Sequence, residues 1–241
     1  MTSLLAALLT IGTPASATPA LAATAPAKTA SAPDFRALQA QNPDIYAWLY
    51  IPGTDINYPV CQSTNDVYYL THNTQGGLDA NGALYTESKY NTRTFQDPVT
   101  VIYGHNMRSG KMFGNLEENF RQGFTGRSEA IVYLPAGGNT RTGSAATNAG
   151  SAAAPQVREQ HYELFAALPV GSSHLLYGRN FSKKSVYQTF IDEIIHARSF
   201  DSTVIRSDVP VTIDDKLLIL STCRGGGKTN ERYIVVGKLK K

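Results

Sequence analysis

Short apolar or alternating runs, separated by clusters of Gly, Pro and Asn, recur along most of this sequence. Each run has the length of a β-strand, and several are rich in Tyr and β-branched residues, which favour strands. About eight short strands bounded by turn residues are typical of an all-β barrel or sandwich. The predicted strands are 48–51, 56–61, 83–86, 99–103, 130–134, 162–170, 216–222 and 233–239.

One segment has helical rather than strand periodicity. Residues 185–198 place apolar side chains at helical spacing, which predicts an amphipathic helix in the connection before strand 216–222. Ser185, with Gln188 three residues later, fits a capping box at the start of that helix. Its apolar positions are Val186, Tyr187, Phe190, Ile191, Ile194 and Ile195.

Two other stretches depart from the strand pattern. Phe35 and Leu38 predict a short helix before Pro43, and the cap-like residues 42–44 predict a further helical turn through Trp48. Residues 137–159 contain no aromatic residue, and Val157 is the only one more apolar than Ala, so we expect a flexible insertion between two strands.

The first 33 residues are rich in Ala, Thr, Pro and Ser. An apolar run over 4–11, followed by small residues, resembles an export signal but falls short of the ~20 residues that span a membrane. Lys28 is the only charged residue before Asp34, so a basic leading segment is missing. We expect an export signal or a membrane-anchor remnant and a disordered linker in 1–33, and a folded domain in 34–241 attached to the membrane through its N-terminus.

Composition excludes several classes of function. The chain has 241 residues, 42% of them hydrophobic, and a net charge of only +3 without a dense basic block, which argues against nucleic-acid binding. Its histidines and two cysteines lack the spacing of zinc or redox sites, so we expect no metal and no cofactor. No GxSxG segment supports a serine hydrolase.

Cys223 directly follows the apolar run 216–222 and precedes a glycine-rich loop. Strand alternation places Leu217, Ile219, Ser221 and Cys223 on one face. A thiol at a strand end beside glycines is accessible to a peptide, whereas taken alone it is more often a buried structural cysteine. Cys61 is interpreted as structural, and a Cys61–Cys223 disulfide stays open as an alternative that would remove the nucleophile.

Two further groups fall at strand ends and change this interpretation. His105 follows the run 99–103 and Gly104, where an imidazole can serve as general base and acid toward a thiol. Arg232 opens the last strand after a short connection from Cys223, so a hairpin would bring its guanidinium close to the thiol. Taken singly, each is also explained as a turn histidine or a hairpin arginine. Together they indicate covalent acyl chemistry.

These residues resemble the signature segments of sortases, the cysteine transpeptidases that attach surface proteins to Gram-positive cell walls. Ser-Thr-Cys at 221–223 with Arg232, and Tyr-Gly-His-Asn-Met at 103–107, carry the likeness. It extends over roughly 42–239 and fits class B through the helix 185–198 and the segments 54–60, 65–70 and 111–116.

The resemblance implies a mostly β fold, an eight-stranded sortase barrel with an N-terminal helical extension and one helix inserted before the cysteine strand. It implies that Cys223 attacks a threonine carbonyl in a C-terminal sorting-signal peptide, that His105 protonates the leaving amine and that Arg232 stabilises the oxyanion. The substrate-binding positions it implies are Asn65, Leu70, Leu176, Tyr177, Ser221 and Arg224, with the Arg224 amide completing the oxyanion hole.

The resemblance also implies an acceptor amine, from a peptidoglycan precursor or a pilin lysine, and action at the extracellular face of the membrane or in the cell wall. Two alternatives stay open. One is a thiol endopeptidase of the same fold that releases the peptide by hydrolysis. The other is a non-catalytic exported β-domain that binds peptides, in which Cys223 has no chemical role.

Overall fold

The computed structural model describes residues 32–136, 157–197, 201–225 and 229–241. Those ranges contain three α-helices and nine strands, mostly at the predicted places. The helices are α1 Phe35–Gln41, α2 Leu116–Phe120 and α3 Lys184–Ile195, and the strands are β1 Ile45–Tyr50, β2 Asn57–Cys61, β3 Leu84–Tyr85, β4 Val99–Tyr103, β5 Glu129–Pro135, β6 Val157–Gly171, β7 Val204–Ile205, β8 Leu217–Cys223 and β9 Glu231–Leu239.

Eight of these strands close into a barrel. Their order is β5-β1-β2-β3-β4-β8-β9-β6, and β5 also pairs with β6, which leaves no open edge in the ring. The ninth strand, β7, has two residues and pairs with β6 beside the barrel. The predicted eight-stranded barrel is confirmed, whereas β7 was missed because two residues carry no periodicity.

Alternation along the strands produces two apolar layers. One cluster takes residues from all eight barrel strands, such as Leu49, Ile102 and Leu218, and fills the interior. The intervening positions, such as Val101 and Ile219, belong to a second cluster that α3 covers from outside. Both faces of β4 and β8 are therefore buried, which explains why these strands read as continuous apolar runs.

The amphipathic helix is confirmed as α3, whose buried face is Tyr187, Phe190, Ile191 and Ile194. Its capping box was wrong. The helix begins one residue earlier, at Lys184, and no side chain caps it. Gln188 bonds forward to Asp192 rather than back toward Ser185, so the helix start is held by tertiary packing instead.

The helical turn predicted through Trp48 was also wrong. The Asn42 side chain accepts a hydrogen bond from the Asp44 amide, 2.9 Å, and donates to Tyr69 and the Thr74 carbonyl. Asn42 therefore anchors a tight turn, and β1 begins at Ile45. Pairing with both β2 and β5 overrides the local helical signal.

Predictions for two other segments concern residues that the structure describes only in part. Residues 1–31 and 137–156 lie outside the described ranges. Val157 to Glu159, predicted as part of the insertion, instead begin β6 and pair with β5. Among the described residues, no helix has the length and apolarity needed to cross a membrane.

Candidate active site

Three neighbouring strands end at one rim of the barrel. β4 and β8 run parallel and are paired from Val99 opposite Leu217 to Tyr103 opposite Ser221. β9 runs antiparallel to β8, so its first residues lie beside the last residues of β8. The rim therefore brings together three chain segments that are distant in sequence. Each segment contributes one of the predicted catalytic side chains.

Cys223 and Arg232 face each other across β8 and β9. The next pair outward, Arg224 and Glu231, is joined by a backbone hydrogen bond of 2.9 Å from the Arg224 amide to the Glu231 carbonyl. Because hydrogen-bonded and non-hydrogen-bonded pairs alternate, Cys223 and Arg232 form a non-hydrogen-bonded pair, whose side chains are the closer kind. Their Cβ atoms are expected to lie about 5 Å apart on the same face.

His105 lies two residues beyond the end of the neighbouring strand β4, at the same rim as Cys223. It comes two residues after Tyr103, as Cys223 comes two residues after Ser221, and those two strands are paired in parallel register. Gly104 is required between them, because a Cβ there would lie 2.4 Å from Leu84 and 2.7 Å from Phe113. A larger residue at 104 would displace the turn that carries the imidazole.

A backbone carbonyl fixes the tautomer of His105. Its Nε2 lies 2.7 Å from the Leu70 carbonyl oxygen, which can only accept a hydrogen bond. The neutral ring therefore carries its proton on Nε2, and Nδ1 is the nitrogen left with a lone pair. Leu70, predicted as a pocket residue, thus contacts the His105 ring through its backbone carbonyl.

Three hydrogen bonds join the His105 turn to the end of β8. The Gly104 amide donates to the Ser221 carbonyl, 3.1 Å, and the Thr222 hydroxyl donates to the Gly104 carbonyl, 2.7 Å. The Asn106 side-chain amide donates to the Cys223 carbonyl, 2.7 Å. These bonds fix the relative position of the histidine and cysteine backbones.

Two stacked tyrosines lie beside these groups. The rings of Tyr85 and Tyr103 are 5.5 Å apart, and both side chains are buried. Burial, and then the charge of Glu87, raises the pKa of both hydroxyls, while Arg232 acts in the opposite direction. Both phenols therefore stay neutral at physiological pH, and the Arg232 guanidinium lies within electrostatic range of them. In the described parts of the chain, no carboxylate forms an ion pair with Arg232, so its charge is available to a bound substrate.

The predicted oxyanion-hole role of the Arg224 amide is wrong in this structure. That amide already donates to the Glu231 carbonyl, so it does not face a substrate. The guanidinium is also engaged, with Glu117 at 2.9 Å, Asp201 at 2.5 Å and Glu231 at 3.2 Å. Hydrogen bonds to Glu117 and Asp201 raise its pKa further. Arg224 therefore ties the end of β8 to α2 and to the chain around Asp201.

The remaining predicted pocket residues differ in their surroundings. Asn65 is exposed, and its side chain accepts from the Val67 amide at the start of a turn. Leu176 is buried in the outer apolar cluster, whereas the neighbouring Tyr177 is 71% exposed. Ser221 is buried, and its hydroxyl has no hydrogen-bond partner among the described residues. An unpartnered buried hydroxyl costs about 1–3 kcal/mol, and it lies two residues from Cys223 on the same strand face.

The two cysteines have different environments. Cys61 is fully buried at the end of β2, and Cys223 is partly exposed. Both are free thiols, so the alternative of a Cys61–Cys223 disulfide is not realised. Burial raises the pKa of the Cys61 thiol to about 12, which keeps it neutral and unreactive.

The sequence interpretation missed three side chains that support the site. Asn106 was part of the segment 103–107 but received no role. His174 and its partner Glu87 also received no role. Side-chain bonding between segments distant in sequence leaves no periodic signal, so only the fold reveals these contacts. In the described ranges, no group of three His, Cys, Asp or Glu side chains is placed to hold a metal ion.

Curated relatives of this chain are sortases. It is 26% identical over 208 residues to a sortase B of Staphylococcus aureus, which covers 86% of this chain and 75% of that protein. It is 28% identical over 207 residues to a sortase B of Listeria monocytogenes, covering 86% and 74% respectively. No protein-family model matches the chain.

Solved structures of sortase B have the same fold. A Staphylococcus aureus sortase B–substrate complex superposes with a TM-score of 0.66 at 24% identity, covering 86% of this chain and 84% of that one. A sortase B complexed with triglycine superposes with a TM-score of 0.66 at 25% identity, covering 86% and 85%. The rim with Cys223, His105 and Arg232 thus lies in a barrel of known architecture.

Proposed function

We propose how this chain, which belongs to class B of the sortases and is a cysteine transpeptidase, carries out its reaction. Cys223 is the nucleophile, His105 the general acid and base, and Arg232 the stabiliser of the oxyanion. The observation that carries this assignment is the facing pair of Cys223 and Arg232, with the His105 turn bonded to the end of β8 beside them.

In the first step, Cys223 gives its thiol proton to Nδ1 of His105, and the resulting thiolate attacks the threonine carbonyl of a short C-terminal sorting motif. The carbon–sulfur bond forms, and the carbonyl oxygen takes up the negative charge beside the Arg232 guanidinium. A permanently charged planar fork can hold that oxygen and a neighbouring peptide carbonyl together. Because no described carboxylate pairs with Arg232, its charge is not neutralised before the substrate arrives.

In the second step, the intermediate collapses and the peptide bond breaks. The departing amine takes a proton from Nδ1 of the His105 imidazolium, and a thioacyl enzyme remains. His105 can carry this proton because the Leu70 carbonyl holds Nε2–H in both protonation states. The Leu70 carbonyl is thus the third group, which orients the base of the nucleophile–base pair.

In the third step, an acceptor amine attacks the thioester, and His105 takes its proton. The thiolate leaves, and an amide joins the surface protein to the acceptor. We propose a peptidoglycan cross-bridge amine or a pilin lysine as the acceptor, at the extracellular face of the membrane or in the wall. A sortase B complexed with triglycine supports an amine acceptor for this chain. We also propose that 1–33 serves export or anchoring and 34–241 is the catalytic domain.

Product analysis tests this function. Pooled pentapeptides with threonine at the fourth position are incubated with the protein, with and without triglycine, and products are identified by mass. We expect triglycine to convert the carboxylic acid product into an amide, and Cys223→Ala to give neither. Turnover that persists in Cys223→Ala would refute the assignment. Acid as the only product with triglycine and with free lysine would favour the thiol endopeptidase.

A further inference from the structure

His174 holds two consecutive backbone amides of the segment that contains Leu176 and Tyr177. The amides of Leu176 and Tyr177 each donate to His174 Nδ1 at 3.1 Å. Asn, Asp, Ser and Thr are the side chains that usually accept hydrogen bonds from the backbone amides two and three residues ahead. Here an imidazole provides it.

The second nitrogen of the same ring explains the use of histidine. Because Nδ1 accepts, the neutral ring carries its proton on Nε2, and Nε2 lies 2.6 Å from the Glu87 carboxylate. Glu87 follows β3, and its side chain is 17% exposed. An asparagine at 174 would keep the amide contacts and lose this second anchor. His174 therefore connects the Leu176–Tyr177 segment to the end of β3.

The same turn after β3 also holds the other segment predicted to bind peptide. The Ser88 amide and hydroxyl both donate to Asp66, at 2.6 and 3.0 Å. Asp66 adjoins Asn65, and Val67 beside it is 61% exposed. The turn at Glu87 and Ser88 thus fixes two segments, each of which presents an exposed large apolar side chain, Val67 in one and Tyr177 in the other.

We refer to His174, Glu87 and the two amides that His174 holds as the clamp. Aromatic rings connect this clamp to the residues beside the catalytic rim. The His174 ring lies 4.6 Å from Tyr90 and 6.2 Å from Tyr103, which stacks on Tyr85. Glu87 and Arg232 both act electrostatically on Tyr85 and Tyr103. Ring contacts therefore connect Tyr85 to His174 through Tyr103, and Arg232 lies within electrostatic range of both tyrosines.

We propose that His174, anchored by Glu87, is a positioning residue that holds the Leu176–Tyr177 segment in place to bind the sorting peptide. This proposal rests on the proposed function, since it assigns these residues to the peptide groove. His174 touches no reacting atom, so its loss weakens peptide binding and leaves the chemical step intact. Without His174, the segment is ordered only when peptide binds, and part of the binding free energy is spent on that ordering.

Substitutions at both ends of the clamp test the proposal. His174→Ala removes both the acceptor of the two amide hydrogen bonds and the contact with Glu87. His174→Asn keeps an acceptor for the two amides. Glu87→Gln keeps an acceptor for the Nε2–H of His174 but removes the negative charge. For His174→Ala, the loss of the two amide hydrogen bonds alone predicts a rise of about tenfold to thirtyfold in the half-saturating concentration of the peptide pool. We expect kcat to stay within about twofold and His174→Asn to recover part of the loss. His161→Asn is the matched control, because His161 also contacts glutamates, Glu129 and Glu159.

Hydrogen exchange in the absence of peptide separates this proposal from the proposed function. We expect the Leu176 and Tyr177 amides to be protected in the wild type and in His174→Asn, and to exchange faster in His174→Ala. If exchange behaves so but no peptide is turned over, the clamp stands and the proposed function fails. Unchanged exchange in His174→Ala would overturn the clamp, as would a half-saturating concentration equal to that of the wild type. A His174→Asn variant as defective as His174→Ala would also overturn it.

Discussion

The hydrogen bond from Asn106 to the Cys223 carbonyl provides a sharp test of how the site is held together. Asn106→Ala removes the 2.7 Å bond that ties the His105 turn to the end of β8. A partly buried hydrogen bond contributes about 1 kcal/mol of stability, so the barrel itself should tolerate the change. The two bonds between Gly104 and residues Ser221 and Thr222 remain and keep the turn near its place.

The expected loss of activity is larger than the loss of stability. Asn106 directly follows His105, and its side chain bonds to the backbone carbonyl of Cys223. Once released, the imidazole and thiol can drift by a fraction of an ångström to about 1 Å, and a 1 Å misplacement costs about a hundredfold in rate. We therefore expect kcat/KM to fall by about tenfold to a hundredfold. Adding Thr222→Val should lower it further.

The assay compares thioacyl formation with thermal unfolding in the same samples. Asn57→Ala is the matched control, because it removes one side-chain hydrogen bond, from Trp48, at the far end of β2 from Cys61. We expect similar, small losses of stability in both variants and a loss of rate only in Asn106→Ala. Rates within twofold of wild type, or a rate loss accounted for by unfolded protein, would refute the reasoning.

Four further tests concern other parts of the molecule. Arg232→Lys should lower kcat by about two to three orders of magnitude because lysine lacks the planar fork, and near wild-type rates would exclude the oxyanion role. Iodoacetamide should label Cys223 alone in the native protein and Cys61 as well after unfolding; early labelling of Cys61 would contradict its burial. Because burial raises the pKa of Cys61 to about 12, its contribution to stability is full below pH ~9 and is lost as pH rises toward 12. Urea unfolding of Cys61→Val should therefore depend less on pH in that range. Arg224→Gln should cost about 1–3 kcal/mol of unfolding free energy, since it leaves a partly buried Glu117 unpaired. Arg121→Gln removes an exposed ion pair and should leave the unfolding free energy close to that of the wild type.

Periodicity predicted the barrel because both of its apolar layers follow strand alternation. The run 99–103 matches β4, and 216–222 differs from β8 by one residue at each end. The errors lie where tertiary contacts outweigh local preference. The residues after Asn42 look like a helix start, yet pairing on both sides of β1 makes them a strand. Ser185 looks like a cap, yet packing of the buried face of α3 sets where that helix begins.

The three residues proposed as catalytic could be selected from the sequence because their chemistry is rare and their positions are strand ends. A thiol, an imidazole and a guanidinium at three strand ends must meet if those strands are neighbours. The supporting contacts were not predictable. Whether the Arg224 amide is free depends on the register of β8 and β9. Whether His174 meets Glu87 depends on how the segment after β6 packs against the turn after β3. Neither property is encoded locally.

Mass analysis of the trapped intermediate tests the central claim most directly. The protein is mixed with the pentapeptide pool, quenched with acid and digested, and the modified peptide is sequenced. We predict a threonyl thioester on Cys223, present in the wild type, reduced in Arg232→Lys and absent in Cys223→Ala. An acyl group found on another residue, or a Cys223 that remains unmodified while peptide is still cleaved, would contradict the account.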